Sequence, residues 1–161
     1  MKQDDGQTPD IDPVQAFLEG SLRKEIGLKS EDLSVGLEVA RNHLKRGAPA
    51  EALRMYVGLI LCEPMNVDFQ VGLANCAITL GEDHLALQAA SAVVALAPRD
   101  PRGYYLSGRA CLGLGHLAEA EEDLNDALAH ARKTGDATVA SEAQRLLRTL
   151  TAIARPSAAT A

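Results

Sequence analysis

Apolar residues recur three and four positions apart along most of the chain, in blocks closed alternately by glycine and by proline. AEALRMYVGLIL (50–61) and LALQAASAVVAL (85–96) are two such blocks. That period places the apolar side chains on one stripe of a helix. Gly47, Gly81 and Gly115 stand where a helix needs a left-handed residue just past its end, a conformation glycine adopts without steric cost. Pro64 and Pro98 stop the helix that follows, because proline cannot continue a helix interior. The pattern predicts a helix, a glycine turn, a second helix and a proline stop, several times over.

Shifted by 34 residues, the chain falls on itself: Gly47, Gly81 and Gly115 align, as do Ala52, Ala86 and Ala120, and Pro64 with Pro98. Leu59, Val93 and Ala127 align too. A fixed period of this length identifies helical repeats that stack on one another. The units are 33–66, 67–100 and 101–134, and the small residues Ala40, Ala74 and Gly108 let each first helix approach its partner closely. The expected fold is all-α, a superhelix of three helix–turn–helix repeats with flanking N-terminal and C-terminal helices. The third unit carries Arg132 where the others have proline, which fits a terminal repeat running on toward a cap.

Both flanks follow from local chemistry. Residues 1–10 lack apolar periodicity and are expected to be disordered. Within 11–32, Asp12 is the expected cap and Pro13 the first residue of a short helix. Its apolar face, Val14, Phe17 and Leu18, is too small to stand alone and so is expected to pack on the repeats or on a second subunit. Ser30 is the expected cap of the next helix, with Glu31 and Asp32 favouring its dipole. Residues 135–155 should form a capping helix with Val139, Ala143, Leu146, Leu147, Leu150 and Ile153 as its buried stripe. Residues 156–161 read as a loose tail.

Composition narrows the functional classes. Apolar residues make up 47% of the chain but aromatics only 3%, so the core must come from Leu, Ala, Val and Ile. A net charge of −6 argues against a nucleic-acid surface, which needs a basic field. Cys62, Cys76 and Cys111 have neither CxxC spacing nor a paired histidine, and read as buried thiols of a reducing cytoplasm. No apolar run reaches membrane-spanning length, so a cytoplasmic protein without stable membrane insertion is expected. The chain has no HExxH, GxSxG or phosphate loop, so no enzyme, cofactor or metal is expected. His43 and Cys111 share a repeat position but lie two units apart. His84 and His116 fall near the turns between paired helices and read as solvated. In GHLAEAEEDL (115–124), Leu117, Ala120 and Leu124 should face inward, while Glu119, Glu121, Glu122 and Asp123 read as a solvated face.

The repeat resembles the tetratricopeptide repeat (TPR). More narrowly, AFLEGS, LKSEDL, FQVGLANCAITLGEDHLAL and RDPRGYYLSGRACLGLGHLAEAE, in that order, are similar to the class II chaperones of bacterial type III secretion. That resemblance covers nearly all of 11–150. It implies that the first helices line a concave groove, faced by Ser34, Leu37, Arg41 and Leu44, by Asp68, Val71, Asn75 and Ile78, and by Arg102, Tyr105, Arg109 and Leu112. The implied client site is Leu37, Arg41, Leu44, Val71, Asn75 and Ile78, extended by Tyr105, Arg109 and Leu112. There an extended segment of a hydrophobic translocator would be held soluble without ATP. A homodimer through the N-terminal helix is also implied. The family's aromatic residues are replaced by Leu37, Arg41 and Leu44, and Leu37, Gly72 and Leu106 break the carboxylate clamp of chaperone-tail-binding relatives. The other reading is a TPR scaffold in a different bacterial assembly, such as pilus or envelope biogenesis.

Overall fold

The structure is a computed structural model that describes Val14 and residues 21–154. Its helices are α1 (Ser21–Glu25), α2 (Ser30–Lys45), α3 (Pro49–Cys62), α4 (Val67–Leu80), α5 (Asp83–Leu96), α6 (Pro101–Leu114), α7 (Leu117–Thr134) and α8 (Ala137–Ala154). Among the described residues there is no strand. Asp12, Pro13, Phe17, Leu18 and residues 156–161 lie outside them.

Glycine and proline punctuate the helices as the sequence predicts. Gly81 and Gly115 cap α4 and α6 at φ +76° and +78°, and their amides return to the last turn of each helix. Asn66 and Asp100 cap the starts of α4 and α6, accepting the amides of Asp68 and Phe69 and of Arg102 respectively. The start of α2 differs from expectation. Lys29, not Ser30, occupies its cap position, and its amide donates to Asp32 Oδ2 at 2.8 Å. Asp32 thus satisfies a donor ahead of the helix, while Ser30 is already helical and accepts from the Arg23 guanidinium.

Curvature follows from which helices touch. Each helix from α2 to α8 packs on the next in sequence. The first helices of successive units also meet, α2 with α4, α4 with α6, and α6 with α8. Among the described residues the second helices, α3, α5 and α7, do not meet one another. A stack closed on one side and splayed on the other is curved, with α2, α4, α6 and α8 inside. The short α1 lies on α3, where Arg23 Nε is 3.5 Å from Glu63 Oε1.

Small residues set the helix spacing. Ala40, Ala52, Ala74, Ala86 and Ala120 are wholly buried. A Cβ on Gly108 would fall 2.8 Å from Leu124 Cγ, so glycine is needed where α6 meets α7. Val139, Ala143 and Leu150 bury the inner face of α8, with Leu146 and Leu147 packed beside them. Ile153, in the last turn of α8, does not join that stripe and is 65% exposed. Leu117 is likewise 48% exposed at the first turn of α7, although Ala120, Leu124 and Ala127 below it are buried.

Asp123 corrects the solvated reading of the acidic run. Glu119, Glu121 and Glu122 are exposed, but Asp123 is half-buried against α6. It accepts a 2.6 Å hydrogen bond from the buried Ser107 hydroxyl and lies 3.9 Å from Cys111 Sγ. Burial raises the Asp123 carboxyl above its ordinary value, opposed by the Ser107 bond. Cys62, Cys76 and Cys111 are all buried free thiols. Burial pushes Cys76 up to about 11 and raises Cys111 as well, which suits packing rather than nucleophilic chemistry.

Candidate functional site

On the inner side, α2, α4 and the start of α6 enclose a cavity of about 350 Å³. Arg41, Leu44, Val71 and Asn75, four residues of the client site implied from sequence, line it together with Asp68 and Arg102, two more of the groove-facing positions. Tyr56, Gly72 and Thr79 complete the lining. Leu44 and Val71 are half-buried against the first core cluster and supply the apolar part. Asn75 Nδ2 donates to the Val71 carbonyl one turn back, at 3.0 Å, which orients its amide.

The remaining expected residues lie around this cavity. Leu37 and Ile78 are half-buried and pack on the core beneath α2 and α4. Tyr105 bridges the two larger core clusters, and the Arg109 guanidinium sits 5.7 Å from its ring centroid. Leu112 packs into the second cluster. Val14 is 63% exposed.

Two features of the cavity escape a residue-by-residue reading of the sequence. Arg102 is already engaged: Nη1 is 2.8 Å from Asp68 Oδ1 and Nη2 is 2.6 Å from Asp100 Oδ2. Burial opposes ionisation of Asp100, yet the hydrogen bonds from Arg102 hold its carboxyl below the usual value. The same bonds, those to Asp100 foremost, raise the Arg102 guanidinium further. Ser34, Asp68 and Arg102 occupy one repeat position, so an ion pair between neighbouring units was written as opposite charges 34 residues apart.

Tyr56 is the second feature. It belongs to α3, a second helix, but its ring reaches through to the groove because Gly72 on α4 leaves room. A Cβ on Gly72 would lie 2.0 Å from Tyr56 Cε1. Burial raises the Tyr56 hydroxyl above its ordinary value, with Cys76 adding to the shift and Arg41 opposing it. Arg41 is the exposed cation of the cavity, and its charge favours the ionised form of that hydroxyl. Among the described residues no cluster of His, Cys, Asp or Glu could hold a metal, and no helix is long and apolar enough to cross a membrane.

Comparison with known proteins places this geometry. No protein-family model matches the chain. Cellulose synthase operon protein C of Pseudomonas fluorescens SBW25 is 33% identical over 130 residues, 80% of this chain, but the chain spans only 10% of that protein's length. A type III secretion complex from Aeromonas hydrophila aligns with TM-score 0.78 at 24% identity, covering 86% of this chain and 95% of that one. PcrH, a Pseudomonas aeruginosa protein, solved with the chaperone binding region of PopD, aligns with TM-score 0.74 at 25% identity, covering 80% and 98%. The first TPR domain of Spaghetti, bound to an HSP90 peptide, shares the fold with TM-score 0.68 at 23% identity over 79% and 97%. The chain has a TPR-like fold and resembles type III secretion translocator chaperones.

Proposed function

We propose that this chain is a cytoplasmic, ATP-independent chaperone of a bacterial secretion system, which holds an extended segment of a hydrophobic translocator in its concave groove before export. The observation that carries this reading is the inner cavity, where apolar Leu44 and Val71 stand beside the polar anchors Arg41 and Asn75. An extended peptide offers this mixture its complement: side chains for the apolar walls and backbone groups for the anchors. The likeness to PcrH, solved with the chaperone binding region of PopD, supports a role in holding a client segment. Leu37, Ile78, Tyr105, Arg109 and Leu112 extend the site along the groove. Holding a client this way needs no catalytic group or cofactor.

Co-expression with candidate translocators tests the proposal. A translocator should co-purify with the wild-type chain and be lost with Leu44→Glu combined with Val71→Glu. Failure to retain any secreted client would remove the reading. In a homodimer formed through Val14, Phe17 and Leu18, deletion of residues 1–20 would halve the mass in solution; an unchanged mass would refute that interface.

A second reading, a TPR scaffold in envelope assembly, is favoured by the likeness to a segment of cellulose synthase operon protein C. It predicts stable capture of an assembly component and no retention of a secreted client.

A further inference from the structure

The third unit builds a cavity for which client binding in the groove has no use. Pro64 and Pro98 follow α3 and α5, which have 14 residues each. Arg132 stands in that place in the third unit, and α7 runs on for 18 residues to Thr134. Its added turn rises beside the connection between α5 and α6. Between them lies a cavity of about 480 Å³ lined by Arg99, His130, Lys133 and Thr134. It shares no lining residue with the groove cavity.

The site is cationic in a chain whose net charge is −6. Arg99 and Lys133 are exposed, and neither has an ion-pair partner among the described residues. The neighbouring Asp100 is occupied by Arg102 at 2.6 Å. Asp136 is occupied too, accepting the Val139 amide at 3.0 Å, and Asp126, one turn before His130, does not line the cavity. The carbonyls at the end of α7 would repel an anion, but the Thr134 hydroxyl donates to His130 O at 3.1 Å and the Asp136 amide to Ala131 O at 2.9 Å. One wall is fixed by ring stacking: His130 lies on Tyr104 with centroids 4.9 Å apart and planes 7° apart. The Tyr104 hydroxyl is tied to the Pro98 carbonyl at 3.1 Å.

We propose that this cavity binds an acidic peptide segment of a partner protein, a second docking point independent of the groove. The Arg99 fork matches a carboxylate in two-bond geometry, and the Lys133 ammonium adds a point charge beside it. The cavity has room for more than one carboxylate side chain, so it suits a run of acidic residues better than a single small anion.

Fluorescence anisotropy with labelled hexaglutamate and the full chain at low salt tests the site. Wild type should bind saturably, and Arg99→Glu with Lys133→Glu should weaken binding at least 30-fold, with unchanged helical circular dichroism. Arg99→Ala alone should weaken it several-fold, which keeps the test open if the double variant misfolds. The groove variant Leu44→Glu with Val71→Glu should bind hexaglutamate as wild type does, separating this site from the client groove. No saturable binding, or equal binding by the charge-reversed chain, would overturn the proposal. Binding of inorganic phosphate with none of hexaglutamate would overturn its assignment to a peptide.

Discussion

The two junctions between repeats solve one packing problem in opposite ways. Where the first unit meets the second, a large residue on the second helix, Tyr56, presses on a glycine of the next first helix, Gly72. Thirty-four residues on, the equivalent positions are Ala90 and Leu106, both buried in the same core cluster. Large against small has become small against large, and the total volume is roughly kept, which is what a close-packed interior tolerates. The difference has a functional consequence. A tyrosine reaches through to the inner face, where it lines the groove cavity together with Arg41. The second junction is aliphatic, and its leucine fills the corresponding space. In the proposed reading the first junction serves binding and the second cohesion.

The sharpest way to break that comparison is Gly72→Leu. The Tyr56 ring would have to leave its site, and we expect a loss of about 3 kcal/mol, the upper range for overpacking. Better helix propensity returns only about 1 kcal/mol. Adding Tyr56→Ala should recover most of the stability, since the pair then copies the second junction. Denaturant unfolding of the two single variants and the double variant measures the coupling; strictly additive losses would contradict the exchange of volumes.

A smaller effect separates two carboxylates of the third unit. Asp123 has a raised value in the folded chain, so the folded state holds its proton more tightly than the unfolded state does. Its ionisation should cost stability as pH rises from the ordinary carboxylate range through the raised folded value, and Asp123→Asn should remove that slope. Asp100 is lowered, so its contribution is present above the ordinary carboxylate value and lost as pH falls through the folded one. Asp100→Asn should therefore flatten the acid limb instead. Unfolding midpoints across acidic pH distinguish the two signs.

The smallest effect belongs to the pair that ties the second unit to the third. Asp68 and Arg102 have side chains 46% and 38% exposed, so solvent screens their 2.8 Å contact. A double-mutant cycle with Asp68→Ala and Arg102→Ala should give a coupling of at most about 1 kcal/mol, reduced by added salt. A coupling of several kcal/mol would mean the bridge, rather than the tyrosine–glycine contact, holds the groove together.

What could be read from sequence was what repeats. Glycine turns, proline stops and small contact residues recur every 34 residues, and each reports a backbone requirement shared by all units. Tyr56, Ala90 and Leu124 occupy one repeat position with three different sizes, so alignment alone hides what compensates them. Their partners sit elsewhere in the chain and emerge only when the helices are packed. Periodicity also assigned Leu117 and Ile153 to the interior, because it knows the face of a helix and not which of its terminal turns are covered. Asp123 was misread for a related reason: one acid in a charged run turns toward α6, where Ser107 meets it. The groove residues Leu44, Val71 and Asn75 came from the resemblance and meet around one cavity; Arg102, the most prominent cation among the implied positions, is occupied by neighbouring acids.

The central proposal is that a translocator segment binds at the first junction, between Leu44 and Val71. Calorimetric titration with the chaperone-binding segment of a co-purified translocator tests it most directly. We expect saturable binding by the wild-type chain. Leu44→Glu with Val71→Glu should weaken it about 100-fold, or about 2.8 kcal/mol, while the helical signal and the unfolding midpoint stay near wild type. Undiminished binding by that variant would contradict the account.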